Sequence, residues 1–215
     1  SRVLYKRRRA LHNNVRYAPN GVDLEWVQDS IRAGVGPREL GGIPGPRVVH
    51  VGTLGGAFDF GCAEYLARRF RSCSFLFIGR APVMTPSLRA LKNVYLLGTR
   101  RREEVIGFLQ TADACLCLRK NNEHTYAMNP LKVWEYLAAG KPVLTTLNAE
   151  LEHLPGVVFM GATHEQIGDL LEGALQGVSQ HRIQRGMEIA RRLSWRRLAR
   201  RVSGFLQETV GAKQP

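Results

Sequence analysis

From Pro46 onward the chain alternates two kinds of segment. Short runs that are apolar almost throughout, such as Ser74-Phe75-Leu76-Phe77-Ile78, are separated by longer stretches whose apolar residues recur at helical spacing. A strand that is apolar on both faces must be covered on both. Helices on either side of a parallel sheet achieve this, and a half-solvated antiparallel sheet does not. The alternation therefore predicts an α/β fold: a doubly wound, Rossmann-like parallel sheet of about six strands, with helices on both faces. Strands are expected over residues 48–51, 74–78, 93–97, 112–118, 143–146 and 157–160. Helices are expected over 59–69, 102–111 and 131–139, and fill most of the rest.

The sheet domain is assigned residues 46–178. Residues 1–45 hold no βα unit and gather Gly and Pro near 34–46, as a connector from a preceding domain would. Residues 179–215 read as one or two basic helices, interrupted around Ser194-Trp195, that pack back on the domain or toward the preceding one. The start, Ser-Arg-Val without Met, leads us to expect an upstream segment. No apolar run reaches the roughly 18 residues of a membrane span, and the basic residues 1–9 lack the apolar block of a signal peptide. The expected location is the cytoplasm, peripheral at the inner face of the membrane.

Cys62, Cys73, Cys115 and Cys117 show neither zinc-site spacing nor a disulfide framework, and read as core thiols. Cys115 and Cys117 alternate in one apolar run and should share a strand face. The net charge of +13 is mostly arginine, gathered at Lys6-Arg7-Arg8-Arg9, at residues 100–102 and at 182–201. Such charge favours phosphate-bearing partners without choosing among nucleic acid, anionic lipid and nucleotide.

The richest stretch is Met128-Asn129-Pro130-Leu131-Lys132-Val133-Trp134-Glu135-Tyr136-Leu137-Ala138-Ala139-Gly140-Lys141-Pro142-Val143. Asn129 is a good N-cap, Pro130 suits the first helical position, and Gly140 and Pro142 stop the helix. The helix N-terminus should project from the carboxyl end of the fourth strand, where open α/β sheets bind ligands and free N–H groups attract anions. Lys132 adds a charge there, and Glu135 lies on the same face to accept hydrogen bonds from hydroxyls. The plain alternative is an i,i+3 ion pair on a solvated face. After the first strand, Gly52-Thr53-Leu54-Gly55-Gly56-Ala57-Phe58-Asp59 matches neither the dinucleotide fingerprint nor the phosphate-binding P-loop, and an ordinary turn explains it as well. His50 reads as a satisfied core histidine, and Trp134 and Tyr136 as packing residues. His153, His164 and His181 read as surface residues, and His124, in the loop before Asn129, as a candidate for ligand contact, the sugar once the resemblance below is taken into account.

The segment Pro130-Leu131-Lys132-x-x-Glu135-Tyr136-Leu137-Ala138-Ala139-Gly140-Lys141-Pro142-Val143 resembles the donor-site signature of family-four-like glycosyltransferases (glycosyl transferases group 1), whose architecture, GT-B, has two Rossmann-like domains. Other segments follow in the family's order. Tyr17-Ala18-Pro19-Asn20-Gly21-Val22-Asp23 resembles the exit from the N-terminal acceptor domain, Val51-Gly52-Thr53-Leu54 the opening of the C-terminal one, and Ser194-Trp195 the start of the closing helix. The likeness spans roughly residues 17–209 and implies one half of a GT-B enzyme. By it, Glu135 binds the donor ribose, Lys132 the diphosphate, and the Gly52-Thr53 backbone the phosphates or transferred sugar. The Leu97-Gly98-Thr99 loop holds the nucleobase, and Asn129 belongs to the same donor site.

Two positions depart from the family. Its further glutamate, eight residues before the ribose-binding one, is Ala127 here. Ala57, Phe58 and Asp59 stand where its loop Arg and Lys are usual. Lys132 then becomes the principal phosphate cation. The implied reaction is transfer from a nucleoside diphosphate sugar of UDP or GDP type to an acceptor hydroxyl. The acceptor site and any general base lie on the other domain, so these residues alone would bind donor without turnover. No cofactor is expected, and no acidic metal motif such as Asp-x-Asp occurs. Competing readings are a nucleotide-sugar epimerase of the same architecture, a non-catalytic partner subunit, and a basic nucleic-acid-binding domain. The last lacks any recognisable zinc-finger, RNP or helix-turn-helix pattern.

Overall fold

The computed structural model describes residues 1–34 and 36–211, so the ends of the assigned terminal segment at 212–215 and Val35 lie outside it. In chain order the elements are α1 (Arg2–Arg9), α2 (Leu24–Ala33), β1 (Arg47–Val51), α3 (Phe60–Arg69), β2 (Ser74–Ile78), α4 (Pro86–Arg89), β3 (Val94–Gly98) and α5 (Arg102–Gln110). They continue as β4 (Ala114–Cys117), α6 (Glu123–Tyr126), α7 (Leu131–Ala138), β5 (Val143–Thr146), β6 (Val158–Gly161), α8 (His164–Gln176), α9 (Gln180–Arg192) and α10 (Trp195–Gly211). The described strands form one parallel sheet ordered β3-β2-β1-β4-β5-β6.

The all-apolar strands do what their composition requires. Val49, Leu76, Cys115, Cys117 and Val143 face one apolar cluster, with α2, α5 and α7. Val48, Phe75, Phe77, Ala114, Leu116 and Leu144 face the other, under α3 and α8. Cys115 and Cys117 share a face, and all four cysteines are free and buried. Burial raises the Cys115 thiol to about 12, as an inert core position requires.

The first 45 residues contribute more structure than their composition suggests. Asp23 caps α2 by accepting from the Trp26 N–H, and Gly34 ends it in the left-handed conformation. Val22, Val27, Leu40 and Ile43 are buried in the first cluster, and Val22 bridges to Ser194. α9 and α10 break at Leu193-Ser194, where the sequence places the interruption.

At the start of α7 the structure corrects the capping assignment. Pro130 occupies the cap itself and the helix begins at Leu131. The Asn129 side chain does not cap; its Oδ1 accepts from Nε1 of Trp134 at 2.9 Å. Trp134 is 1% exposed, and a buried indole N–H takes a nearby acceptor in preference to leaving that donor unpaired.

Three glycines make the sheet's carboxyl edge passable. The Gly52 N–H donates to the Ile78 carbonyl at 2.7 Å, and the Gly79 N–H to the Gly98 carbonyl at 2.8 Å. Gly79, at φ 136°, passes so close that a Cβ on it would fall on the Gly52 carbonyl. Both backbone conformation and contact therefore exclude a side chain at this position. Gly79→Ala should lower stability by about 3 kcal/mol in urea unfolding; parent-like stability would show that the two loops separate at little cost.

Candidate functional site

Sheet order reverses between β1 and β4, so the chain leaves these neighbouring strands in opposite directions and opens a crevice at their carboxyl ends. A cleft of about 420 Å³ lies there, lined by the Gly52 loop, Phe58, the Leu118-Arg119 exit of β4, and Lys132 of α7. The Gly52 loop and the β4 exit are tied together. The Lys120 N–H donates to the Ala57 carbonyl at 3.0 Å, and Phe58 and Arg119 form an antiparallel bridge. α7 is held against β1 by Tyr136, whose buried hydroxyl accepts from the Val51 N–H at 2.8 Å, one residue before Gly52.

Lys132 is half-buried in the first turn of α7. It does not form the i,i+3 ion pair with Glu135. Its Nζ lies 3.3 Å from Nε2 of His50 and so close to Gly52 that a Cβ there would be 2.5 Å away. Burial lowers the Lys132 pKa, and the Arg119 charge lowers it further, while the Cys117 thiol and Glu135 oppose the shift. Glu135, also half-buried, is raised by burial and pulled down by Arg102 and Lys132. No hydrogen bond from a described residue reaches its carboxylate, which leaves it free to accept from a ligand.

The other expected site residues divide. Thr53 is exposed on the Gly52 loop and lines the same cleft. Gly98 lies at the end of β3, beside a separate depression with Gly79, Arg80 and Thr99. Asn129 sits before α7 with its carbonyl accepting from Asn20, and its buried Nδ2 has no partner. His124 is exposed on α6 and does not line the cleft.

Two contributors escape the motif reading. His50 is indeed buried and satisfied, its Nδ1 bonded to the Leu116 carbonyl at 3.0 Å, yet its other nitrogen faces Lys132 on the cleft wall. Arg119 adds a second cation to the cleft, with a buried Nε that has no partner. Its signal in the sequence was a basic residue closing an apolar strand, at the edge where such sheets bind anions. His164, read as a surface residue, is half-buried and lies 3.2 Å from Asp59. With Cys62 these two bring three potential metal ligands within 4.8 Å, but Asp59 also caps α3 through the Cys62 N–H.

The sheet order is that of a Rossmann-like domain, and solved structures narrow the fold further. The chain is similar to a sucrose-phosphate synthase from Thermosynechococcus elongatus (17% identity, TM-score 0.68, covering 92% of this chain and 53% of that one). It is similar to an α,α-trehalose 6-phosphate synthase from Burkholderia multivorans (15%, TM-score 0.71, 93% and 52%). It is also similar to Anabaena HepE solved with UDP-glucose (14%, TM-score 0.68, 87% and 56%). The fold is thus one half of the GT-B architecture. In sequence it is 28% identical over 148 residues to TuaH of Bacillus subtilis, named as a putative teichuronic acid biosynthesis glycosyltransferase, with 66% of this chain matched to 36% of that protein. The chain spans about half the length of the solved relatives. No family model matches it.

The cleft has a pH signature. Burial first, then the Lys132 charge, hold the His50 pKa well below its ordinary value, against the Leu116 carbonyl. The unfolded chain titrates this residue near about pH 6.5. Below that pH the unfolded state binds a proton that the folded state refuses. Stability should therefore fall as pH drops from 7 to 5, by up to about 1.4 kcal/mol per pH unit from this group. Urea unfolding of His50→Asn should show a shallower fall; an unchanged slope would assign the effect to other groups.

Proposed function

We propose that this chain binds a nucleoside diphosphate sugar as the donor half of a two-domain glycosyltransferase, which passes the glycosyl group to an acceptor hydroxyl. The observation that carries the reading is the pair of cations, Lys132 and Arg119, lining one cleft with the Gly52 loop, and the unbonded Glu135 carboxylate one helical turn beyond Lys132. Lys132 and Arg119 meet the diphosphate, while exposed N–H groups at the N-terminus of α7 add their dipoles. Glu135 accepts from ribose hydroxyls. The Gly52-Thr53 backbone approaches the phosphates or sugar, and Gly98 borders the base. As the bond from the sugar to the diphosphate breaks, negative charge grows on the leaving oxygen, and fixed cations stabilise it there. The acceptor and any general base are assigned to the other half of the enzyme. HepE, solved with UDP and with UDP-glucose, supports UDP as the first nucleotide to test.

Calorimetric titration tests these roles. Glu135→Gln should weaken UDP binding by about 1–3 kcal/mol, and Lys132→Ala and Arg119→Ala should weaken UDP far more than uridine. Equal UDP affinity in parent and variants would remove the assigned roles. Salt-sensitive binding to unrelated DNA with no saturable nucleotide binding would favour a nucleic-acid domain.

The last helix supports a second contact. Trp195, Val202 and Leu206 are exposed along α10 beside Arg196, Arg197, Arg200 and Arg201. We assign this face to the other half of the enzyme and to the anionic surface beneath it, at roughly 1 kcal/mol per engaged arginine. The chain should cosediment with anionic vesicles at low salt and be released at high salt; equal binding to neutral vesicles would remove the electrostatic part.

A further inference from the structure

We propose that His50 is a positioning residue for the phosphate-binding cation: its neutral ring holds the Lys132 ammonium on the Gly52 loop. The geometry fixes which nitrogen carries the proton. The Leu116 carbonyl, 3.0 Å from Nδ1, can only accept, so Nδ1 donates. A neutral ring protonated on Nδ1 has its lone pair on Nε2. The 3.3 Å approach of Lys132 Nζ is therefore a donor meeting an acceptor.

The ring is not free to turn away. It is 2% exposed and packs edge-on against Phe58 at 4.8 Å, with Phe77 at 6.1 Å. Phe58 belongs to the Gly52 loop side of the cleft, so one imidazole is wedged between the loop, β4 and the lysine. Gly52 completes the seat, because any side chain there would occupy the place of the ammonium. One N–H of Lys132 is committed to Nε2, which leaves the other two for a ligand. Without that acceptor, a long flexible side chain would have to be ordered by the ligand itself, at an entropic cost. A protonated His50 would instead present a third positive charge beside Lys132 and Arg119, both of which disfavour that form.

This inference rests on reading the cleft as a diphosphate site, and the test separates the two. Titration with UDP and with uridine compares the parent with His50→Gln and His50→Asn. Gln keeps an acceptor where Nε2 stands and loses the donor to Leu116; Asn keeps the donor and loses the acceptor. Positioning predicts that His50→Asn weakens UDP about tenfold with uridine unchanged, while His50→Gln stays within about threefold of the parent even if its melting temperature falls. The reverse order, with Asn parent-like and Gln weak, overturns the proposal and makes His50 a purely structural partner of Leu116. If the parent binds neither UDP nor GDP, the diphosphate reading fails, and nitrogen-15 NMR of the parent still decides the positioning claim. A ring protonated on Nδ1 and bare on Nε2 at neutral pH is expected; protonation on Nε2 overturns it.

Discussion

The whole arrangement depends on the need to cover both faces of a parallel sheet whose strands are apolar on both sides. Helices can cover both faces only if the crossovers divide between them, and that division makes the chain leave β1 and β4 in opposite directions. The crevice between those strands is a consequence of burying the core. Every residue assigned to the cleft is placed relative to that opening: the Gly52 loop by β1, Arg119 by the end of β4, and Lys132 by the first turn of the helix that follows.

A cleft floored by backbone and apolar rings makes its charged groups costly to bury, and at Lys132 the structure meets this cost by pairing. Lys132 is given a neutral acceptor in His50 in place of a carboxylate, which keeps its charge available to an anion. Glu135 is left with charges around it and no bonded partner among the described residues. The backbone contact at Gly79 and the Tyr136 hydroxyl on Val51 hold the walls in register, so that the pairing is set before any ligand arrives.

The departures at Ala57, Phe58 and Asp59 acquire a physical meaning in three dimensions. Phe58 closes the cleft as an aromatic wall against His50, and Asp59 is engaged in capping α3 and pairing with His164. Arg119, bridged to Phe58 of that loop, brings a positive charge to the cleft. Local rules could not show this, because Arg119 lies some sixty positions beyond the loop it is bridged to.

Strand positions, the parallel sheet and the helix carrying Lys132 and Glu135 were legible in the sequence. They follow from periodicity and stop residues, both of which act within a few neighbouring positions. The half-GT-B fold was legible as well, through the order of several short motifs. Tertiary structure alone decided which hydrogen bonds satisfied buried groups. It turned Asn129 from a cap into a partner of Trp134, placed His124 exposed on α6, buried Val22, Val27, Leu40 and Ile43 in the first cluster, and brought His50 and Arg119 to the cleft with Lys132. Each of these outcomes depends on contacts between residues distant in sequence, where a buried polar atom takes whatever partner the packing delivers.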